Sequence, residues 1–278
     1  MPDTWVRFTR RTMDLTSLDR VRAAHDRTDL ALGPGSAPLA GGTWLFSEPQ
    51  PDLTELVDLT SLRWPAIEVT PEGLSVAATC TIRELIDLPP VDGWASQHLV
   101  EQCARSLVAS EKIWDWATVG GNICLALPAG AFTTWAVALD ATAVVWTPDG
   151  GERREPVASF VTGVRATTLA PGEVLRAVVV PAEVLAEPAV FRRVALTRHG
   201  RSGAIVVGRR SADGGLVVTL TAGVPHPHRL AFAAFPGADE LRAAVEQVDD
   251  WYDDPHGAPD WRRAMTLRLA EQVRGELA

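Results

Sequence analysis

An α+β architecture is predicted for this 278-residue chain, on three observations. The segment before residue 60 alternates short apolar runs with Gly/Pro breaks, the reading of a small α/β unit. Residues 61–182 hold a hairpin signal, capped helical stretches and further apolar runs. Residues 183–278 place a strand meander ahead of two helical patterns. These three segments are the expected domains: 1–60, 61–182 and 183–278.

Taking the elements in order, residues 17–31 carry Leu, Val and Ala at mixed helical spacing, with Thr16 or Ser17 as N-cap and Gly33-Pro34-Gly35 as a stop; a first helix is expected. Pro38-Leu39-Ala40 reads as a short strand and 53–59 as a second. Residues 66–69 and 74–78 form a hairpin about Pro71-Glu72-Gly73. Thr81 caps a helix that Pro89-Pro90 ends, and 98–110 is a helix expected to pack beneath the Gly120-Gly121 segment. That places the Gly-Gly pair after a helix, not at the start of one. The second half of 135–146 is strand-forming, and Pro148-Asp149-Gly150-Gly151 is a turn. Residues 191–195, 204–208 and 216–221 give a three-stranded antiparallel meander. Helices over 239–248 and 261–277 follow, joined by the acidic loop 249–260.

Composition narrows the function. Hydrophobic residues make up 46% of the chain, enough to bury a full core, and the formal charge is −9. That balance argues against nucleic acid or an anionic membrane surface as a partner. No apolar run is long enough to span a bilayer, and the first residues lack a secretory signal pattern, so no membrane insertion and a cytoplasmic location are expected. The three cysteines, Cys80, Cys103 and Cys124, have no C-x-x-C spacing; they build neither a disulfide framework nor a cluster site within this chain.

The most informative motifs are two glycine loops, Ala40-Gly41-Gly42-Thr43 and Thr118-Val119-Gly120-Gly121-Asn122. Glycine backbone lets a ligand approach N–H groups closely, which is how loops cradle phosphate, and two cradles suggest a pyrophosphate-containing cofactor. Other candidates are weaker. His226-Pro227-His228 suggests metal, but with no carboxylate pair nearby it reads better as a loop. Asp249, Asp250, Asp253 and Asp254 lack Ca²⁺-loop spacing and read as a solvated linker. Cys124 fits a small buried residue as well as a redox one. No G-x-S-x-G elbow, Walker loop or G-x-G-x-x-G is present.

Over nearly its whole length the chain resembles the FAD-binding medium subunit of molybdenum hydroxylases, the family of carbon monoxide dehydrogenase and xanthine dehydrogenase. The residues that carry the resemblance are Leu39-Ala40-Gly41-Gly42-Thr43, Leu56-Val57-Asp58-Leu59, Ala77-Ala78-Thr79-Cys80-Thr81, and above all Ala117-Thr118-Val119-Gly120-Gly121-Asn122-Ile123-Cys124 with Pro128 after it. Thr168-Leu169-Ala170-Pro171-Gly172-Glu173 and the C-terminal Asp260-Trp261-Arg262-Arg263 continue it in order.

The resemblance implies the family's two-subdomain FAD-binding fold with a C-terminal α+β domain. It implies FAD between the first two subdomains, with both glycine loops at the diphosphate and Val108 and Leu169 against the rings. It also implies [2Fe–2S] clusters in a small partner subunit and a molybdopterin-bound molybdenum in a large one. The complex would be a dimer of heterotrimers, and electrons would pass through FAD to NAD or another acceptor. No catalytic side chain and no metal ligand of this chain is implied. Four departures stand out: Trp44 where the family has an acidic residue, Trp114-Asp115-Trp116 in place of basic or amide residues, Ala131 in place of a cofactor-binding aspartate, and Arg192 or Arg193 in place of a lysine. Trp44, Asp115 and Ala131 motivate one alternative, a flavin-deficient structural or assembly subunit; a second alternative is a stand-alone flavoprotein.

Overall fold

The computed structural model describes residues 17–278; the Thr16 cap considered above lies outside them. Three sheets of three or more strands, and one two-stranded pair, organise the described residues. The first is parallel, with β1 (Arg20–Ala23), β2 (Ser36–Leu39) and β3 (Glu55–Asp58) in the order β1-β3-β2. Here the expected helix over 17–31 is replaced by β1 and one 3-10 turn, Arg27–Leu30. Two things defeat the helical spacing. Asp26 and Asp29 form a reciprocal cap that starts a new turn at residue 27, and β1 pairs with β3 from Arg20↔Glu55 to Ala23↔Asp58, a non-local gain that local pattern does not register.

The middle of the chain gives the hairpin β4 (Ile67–Thr70) and β5 (Gly73–Ala77), then α1 (Ile82–Ile86), capped by Thr81 as expected and closed by Glu84 into a capping box. Helices α2 (Leu99–Ser106), α3 (Glu111–Trp114), α4 (Val119–Leu125) and α5 (Ala131–Ala138) follow. Next come β6 (Thr142–Trp146), β7 (Glu152–Pro156), α6 (Val157–Phe160), the short pair β8 (Val161–Gly163) and β9 (Ala166–Thr167), and β10 (Val174–Pro181). Strand β10 lies at the centre of an antiparallel sheet in the order β4-β5-β10-β6-β7. Helix α2 packs on α1 and α5, and it is α5 that lies against α4, so the helix beneath the second glycine segment is α5.

After α7 (Ala182–Leu185) the chain builds a four-stranded antiparallel sheet, β11 (Ala189–Val194), β12 (Ala204–Arg210), β13 (Leu216–Thr221) and β14 (His228–Phe232), in sequence order. The expected meander has three strands; the fourth, β14, hides behind Pro225 and Pro227 and alternates only between half-buried and exposed positions, as an edge strand does. Helices α8 (Ala238–Glu246) and α9 (Pro259–Leu277) close the chain.

Burial shows how the layers join. Along β12, Ala204 and Val206 pack with Leu241, Val245 and Val273 of α8 and α9, whereas Ile205 and Val207 belong to the core that includes Trp135 of α5. The C-terminal sheet is therefore covered on both faces, by α8 and α9 on one and by the middle helices on the other. Gly208 lets α9 come close: a Cβ there would stand 2.1 Å from Val273 Cγ1. Across the other face, Thr134 Oγ1 and Thr221 Oγ1 are hydrogen-bonded at 2.7 Å.

Two buried arginines tie the layers together. Arg209, 3% exposed, pairs with Asp140 and Glu187 and donates to Ala138 O at 3.0 Å. Arg262, 1% exposed, pairs with Asp254 and donates to the carbonyls of Gly257, Gly203 and Ala222. Among the described residues no helix is long and apolar enough to cross a membrane.

Candidate functional site

Loop 40–45 leaves β2 and crosses the N-terminal end of α4. Gly42 has φ +68°, which a side chain rarely adopts. Gly41 is glycine for a different reason: a Cβ there would lie 1.7 Å from the carbonyl oxygen of Trp116, so the two glycine segments pack directly on one another. In the second segment Thr118 takes an extended conformation and its hydroxyl accepts from Gly121 N at 3.1 Å, which makes it the N-cap of α4. Gly120 and Gly121 thus sit in the first turn of a helix, correcting their expected place after one. Glycine is a poor helix former, but Ala78 leaves no room for anything larger, since a Cβ on Gly120 would lie 2.4 Å from the Ala78 Cβ.

The two segments differ in what their backbone offers. The N–H groups of Val119 and Gly120 donate to Cys80 O and Ala78 O, and that of Asn122 to Thr118 O. Those donors are spent within the protein. By contrast, the N–H groups of Gly41, Gly42, Thr43 and Trp44 donate to no acceptor among the described residues. The free cradle is the first loop; the second supplies packing and the Thr118 and Asn122 side chains. Asn122 Oδ1 already accepts from Phe132 N at 2.8 Å, near the start of α5, and its amide group is left over.

Both segments open on one cavity of about 590 Å³, within the roughly 300–1,000 Å³ of small-molecule and cofactor sites. Leu39, Ala40, Gly41, Gly42, Thr43 and Trp44 line it from the first loop, and Ala117, Thr118, Gly120, Gly121 and Asn122 from the second. Val108 and Leu169 are also on its wall. Two expected residues are not. Val119 is fully buried behind the loop, and Ala131 is fully buried in the core at the first position of α5, because α5 turns that face toward the helical layer. Its lack of a carboxylate therefore removes nothing from the cavity wall.

The other departures separate in the same way. Trp114 is a core residue with Arg83 and Arg105 over its ring, Asp115 pairs with Arg83 at 3.2 Å, and Trp116 points to solvent at 67% exposure. Of these only Trp44 lines the cavity; its Nε1 is enclosed by the protein without a hydrogen-bond partner. Arg192 pairs with Glu276 and Arg193 donates to Gly200 O at 3.0 Å; neither lines the cavity. Cys124 does, and burial pushes its thiol up to about 12, so it stays protonated near neutrality and offers no reactive thiolate.

Part of the wall lies outside the residues singled out in the sequence. Arg201, Ser202, Tyr252 and Asp254 line the cavity from the C-terminal domain. Arg201 makes no ion pair with a described residue, and Ser202, 1% exposed, has an Oγ without a partner. Nothing local in the sequence marks the loop Gly200-Arg201-Ser202-Gly203 as part of the site; it is placed there by the Arg262 fork, which fixes Gly203, Ala222 and Asp254 together. Glu173, also on the wall, is held by Arg153 Nε and Nη2 at 2.8 and 2.6 Å and by Ala170 N. The Arg153 hydrogen bonds keep its carboxyl below the usual carboxylate range.

These residues fit a flavin dinucleotide. Free backbone donors at a glycine loop suit an anionic diphosphate, and the apolar walls suit a flat ring system. Comparison with known proteins agrees. The family described as FAD binding domain in molybdopterin dehydrogenase matches residues 15–183. Among solved structures, a carbon monoxide dehydrogenase from Hydrogenophaga pseudoflava lacking the Mo-pyranopterin moiety matches with TM-score 0.77 at 21% identity, over 92% of this chain and 95% of that one. Quinoline 2-oxidoreductase from Pseudomonas putida 86 gives 0.75 at 20%, over 92% and 97%. Reconstituted CO dehydrogenase from Oligotropha carboxidovorans gives 0.76 at 21%, over 92% and 97%. No curated protein matches by sequence. The structural likenesses establish the shared fold, and the family match over residues 15–183 establishes the rest: the chain belongs to the FAD-binding domain family of molybdopterin dehydrogenases.

Proposed function

We propose that this chain is the FAD-binding electron-transfer subunit of a molybdenum hydroxylase, in which electrons from [2Fe–2S] clusters of a small partner subunit reach an external acceptor by way of the flavin site. The molybdopterin-bound molybdenum belongs to a large partner subunit, and the assembly is a dimer of such heterotrimers in the cytoplasm. The acceptor is NAD or another carrier. The observation that carries this reading is the run of free N–H groups from Gly41 to Trp44 on the wall of the 590 Å³ cavity. Fold likeness to a Cu,Mo carbon monoxide dehydrogenase supports the partner assignment.

Bound FAD supplies one- and two-electron redox chemistry. This chain's residues bind and orient it. The first-loop backbone with Thr43 takes the diphosphate, Thr118 and Asn122 add side-chain hydrogen bonds, and Val108, Leu169 and Trp44 bound the ring system. Arg201 adds positive charge. No acid or base is required of the protein. Residues 1–60 and 61–182 form the two cofactor-binding subdomains, and 183–278 closes the site.

The test is the absorption spectrum and released-FAD content of the purified full chain. A yellow protein with about one FAD per chain is expected. A colourless preparation that takes up no added FAD overturns the reading in favour of a flavin-deficient subunit. Purification from its source with iron–sulfur and molybdenum subunits is expected; isolation as a flavin-loaded single chain points to a stand-alone flavoprotein instead.

A further inference from the structure

The C-terminal domain holds a second constellation, away from the cavity. The sequence shows His226-Pro227-His228 without a carboxylate beside it, which favours a plain loop. Folding supplies the missing group: Asp250, on the segment after α8, meets both imidazoles where the chain enters β14. His226 Nε2 lies 3.2 Å from Asp250 Oδ2 and His228 Nε2 2.8 Å from Asp250 Oδ1. The two rings are stacked, with centroids 4.7 Å apart and planes at 21°, so both Nε2 atoms face the carboxylate. One ligand atom from each of the three residues falls within 4.8 Å of the others.

An ordinary His–Asp pair does not account for this geometry. His228 Nε2 and Asp250 Oδ1 are shielded from solvent, yet neither has a hydrogen-bond partner of acceptable angle, although they are 2.8 Å apart. Two facing polar atoms left unsatisfied are costly, and a cation between them satisfies both. A second contact suits this. His226 Nδ1 is 3.3 Å from Pro227 O; in the tautomer that carries its N–H there, the carbonyl accepts it and the lone pair is on Nε2, as with the outer partner of a metal-bound histidine.

We propose that His226, His228 and Asp250 bind one divalent transition-metal ion of the zinc class. Two imidazole nitrogens and one carboxylate oxygen form a donor set that suits Zn²⁺ or Co²⁺, whereas Ca²⁺ and Mg²⁺ require oxygen ligands throughout. Tetrahedral bonds of about 2.0–2.2 Å set neighbouring ligand atoms about 3.3–3.6 Å apart, so His228 Nε2 and Asp250 Oδ1, 2.8 Å apart here, open slightly to admit the ion. The fourth position is open to water. The site ties the α8–α9 connection to the edge of the C-terminal sheet. Tyr252, two residues on, donates its N–H to Gly223 O at 2.9 Å, and it lines the cavity with Asp254. The ion thus braces the segment that carries part of the cavity wall.

The full chain, stripped with a chelator and dialysed, is titrated with Co²⁺ while its visible d–d absorption is followed, and Zn²⁺ is then added in competition. One equivalent of Co²⁺ is expected, displaced by Zn²⁺ and not by Ca²⁺ or Mg²⁺, together with a higher Tm in Zn²⁺. His226→Gln, His228→Gln and Asp250→Asn each weaken Co²⁺ binding by about tenfold or more and abolish the Tm rise. Absence of a saturating equivalent overturns the proposal, as does unchanged binding in all three variants or displacement by Ca²⁺ or Mg²⁺. Far-UV circular dichroism checks each variant. Asp250→Asn, isosteric and on a connecting segment, decides alone if a histidine variant fails to fold. FAD content is measured in the same samples and has no bearing on the outcome.

Discussion

Trp44 and Arg262 show how much a single side chain carries here. Trp44 lines the cavity, and an aromatic contact with a flat ring is worth about 0.5–1.5 kcal/mol beyond the area it buries. Trp44→Ala, which removes that ring from the wall, is expected to weaken FAD binding about 2- to 12-fold, read as the Kd from flavin fluorescence titration. Arg262 has the opposite role. It touches the cavity only through what it holds: Gly203 beside Ser202, Ala222, and Asp254 on the wall. Arg262→Met leaves the Asp254 carboxylate and three carbonyls without their partner. Loss of about 3–5 kcal/mol is expected, measured from the urea unfolding midpoint and slope. A loss under about 1 kcal/mol would show that the fork is not what joins these loops.

At the scale of the element, α4 is where sequence and structure inform each other most. Thr118 caps it through Gly121 N, so Thr118→Ala is expected to cost about 0.5–2 kcal/mol and Thr118→Ser much less; thermal unfolding of the flavin-free chain separates this from any loss of cofactor contact. The Thr118 cap was not legible, because the glycine pair was expected after a helix and not at the start of one, whereas both hairpin strands, α1, α8 and α9 were, because each carries its signal within a few residues. What was not legible depends on distant partners. The 17–31 segment looks helical until Glu55 and its neighbours offer β1 a parallel partner. Strand β14 becomes a strand only by pairing with β13. The candidate site divides the same way: the glycine loops are local motifs, but Ala131 faces the core because of how α5 packs, and Arg201, Ser202 and Asp250 arrive through tertiary folding alone. Which loop keeps its N–H groups free was likewise invisible, since it depends on Cys80 O and Ala78 O reaching the second loop.

For the whole molecule, the cavity is a joint. Its wall is drawn from the first parallel sheet's loop, the middle helices, the start of β10 and the C-terminal loops, so a ligand bound there touches all three parts of the chain. Two carboxylates are each fixed within one of these parts. Glu173 is held by Arg153, and Glu55 by Ser36, Arg20 and Arg22. Hydrogen bonds from these partners lower both below the ordinary carboxylate value, Arg153 being the largest cause at Glu173 and Ser36 at Glu55. The sign follows from proton linkage. With the folded value below the unfolded one, the unfolded chain binds more protons in that window, so the stabilisation is present above about pH 4.3 and is lost as pH falls through the folded values. Tm is therefore expected to change little from pH 7 to 5 on account of these groups and to fall below about pH 4.3. Glu173→Gln should lower Tm at pH 7 and flatten the acid limb, since its carboxylate no longer titrates. FAD adds a second, independent linkage: at about 100 times its Kd it stabilises the folded state by about 2.7 kcal/mol. Because the ligand spans the joint, that gain should appear as a shift of one cooperative transition for the whole chain. Two transitions, with only the earlier one moved by FAD, would mean that the C-terminal sheet does not share the site.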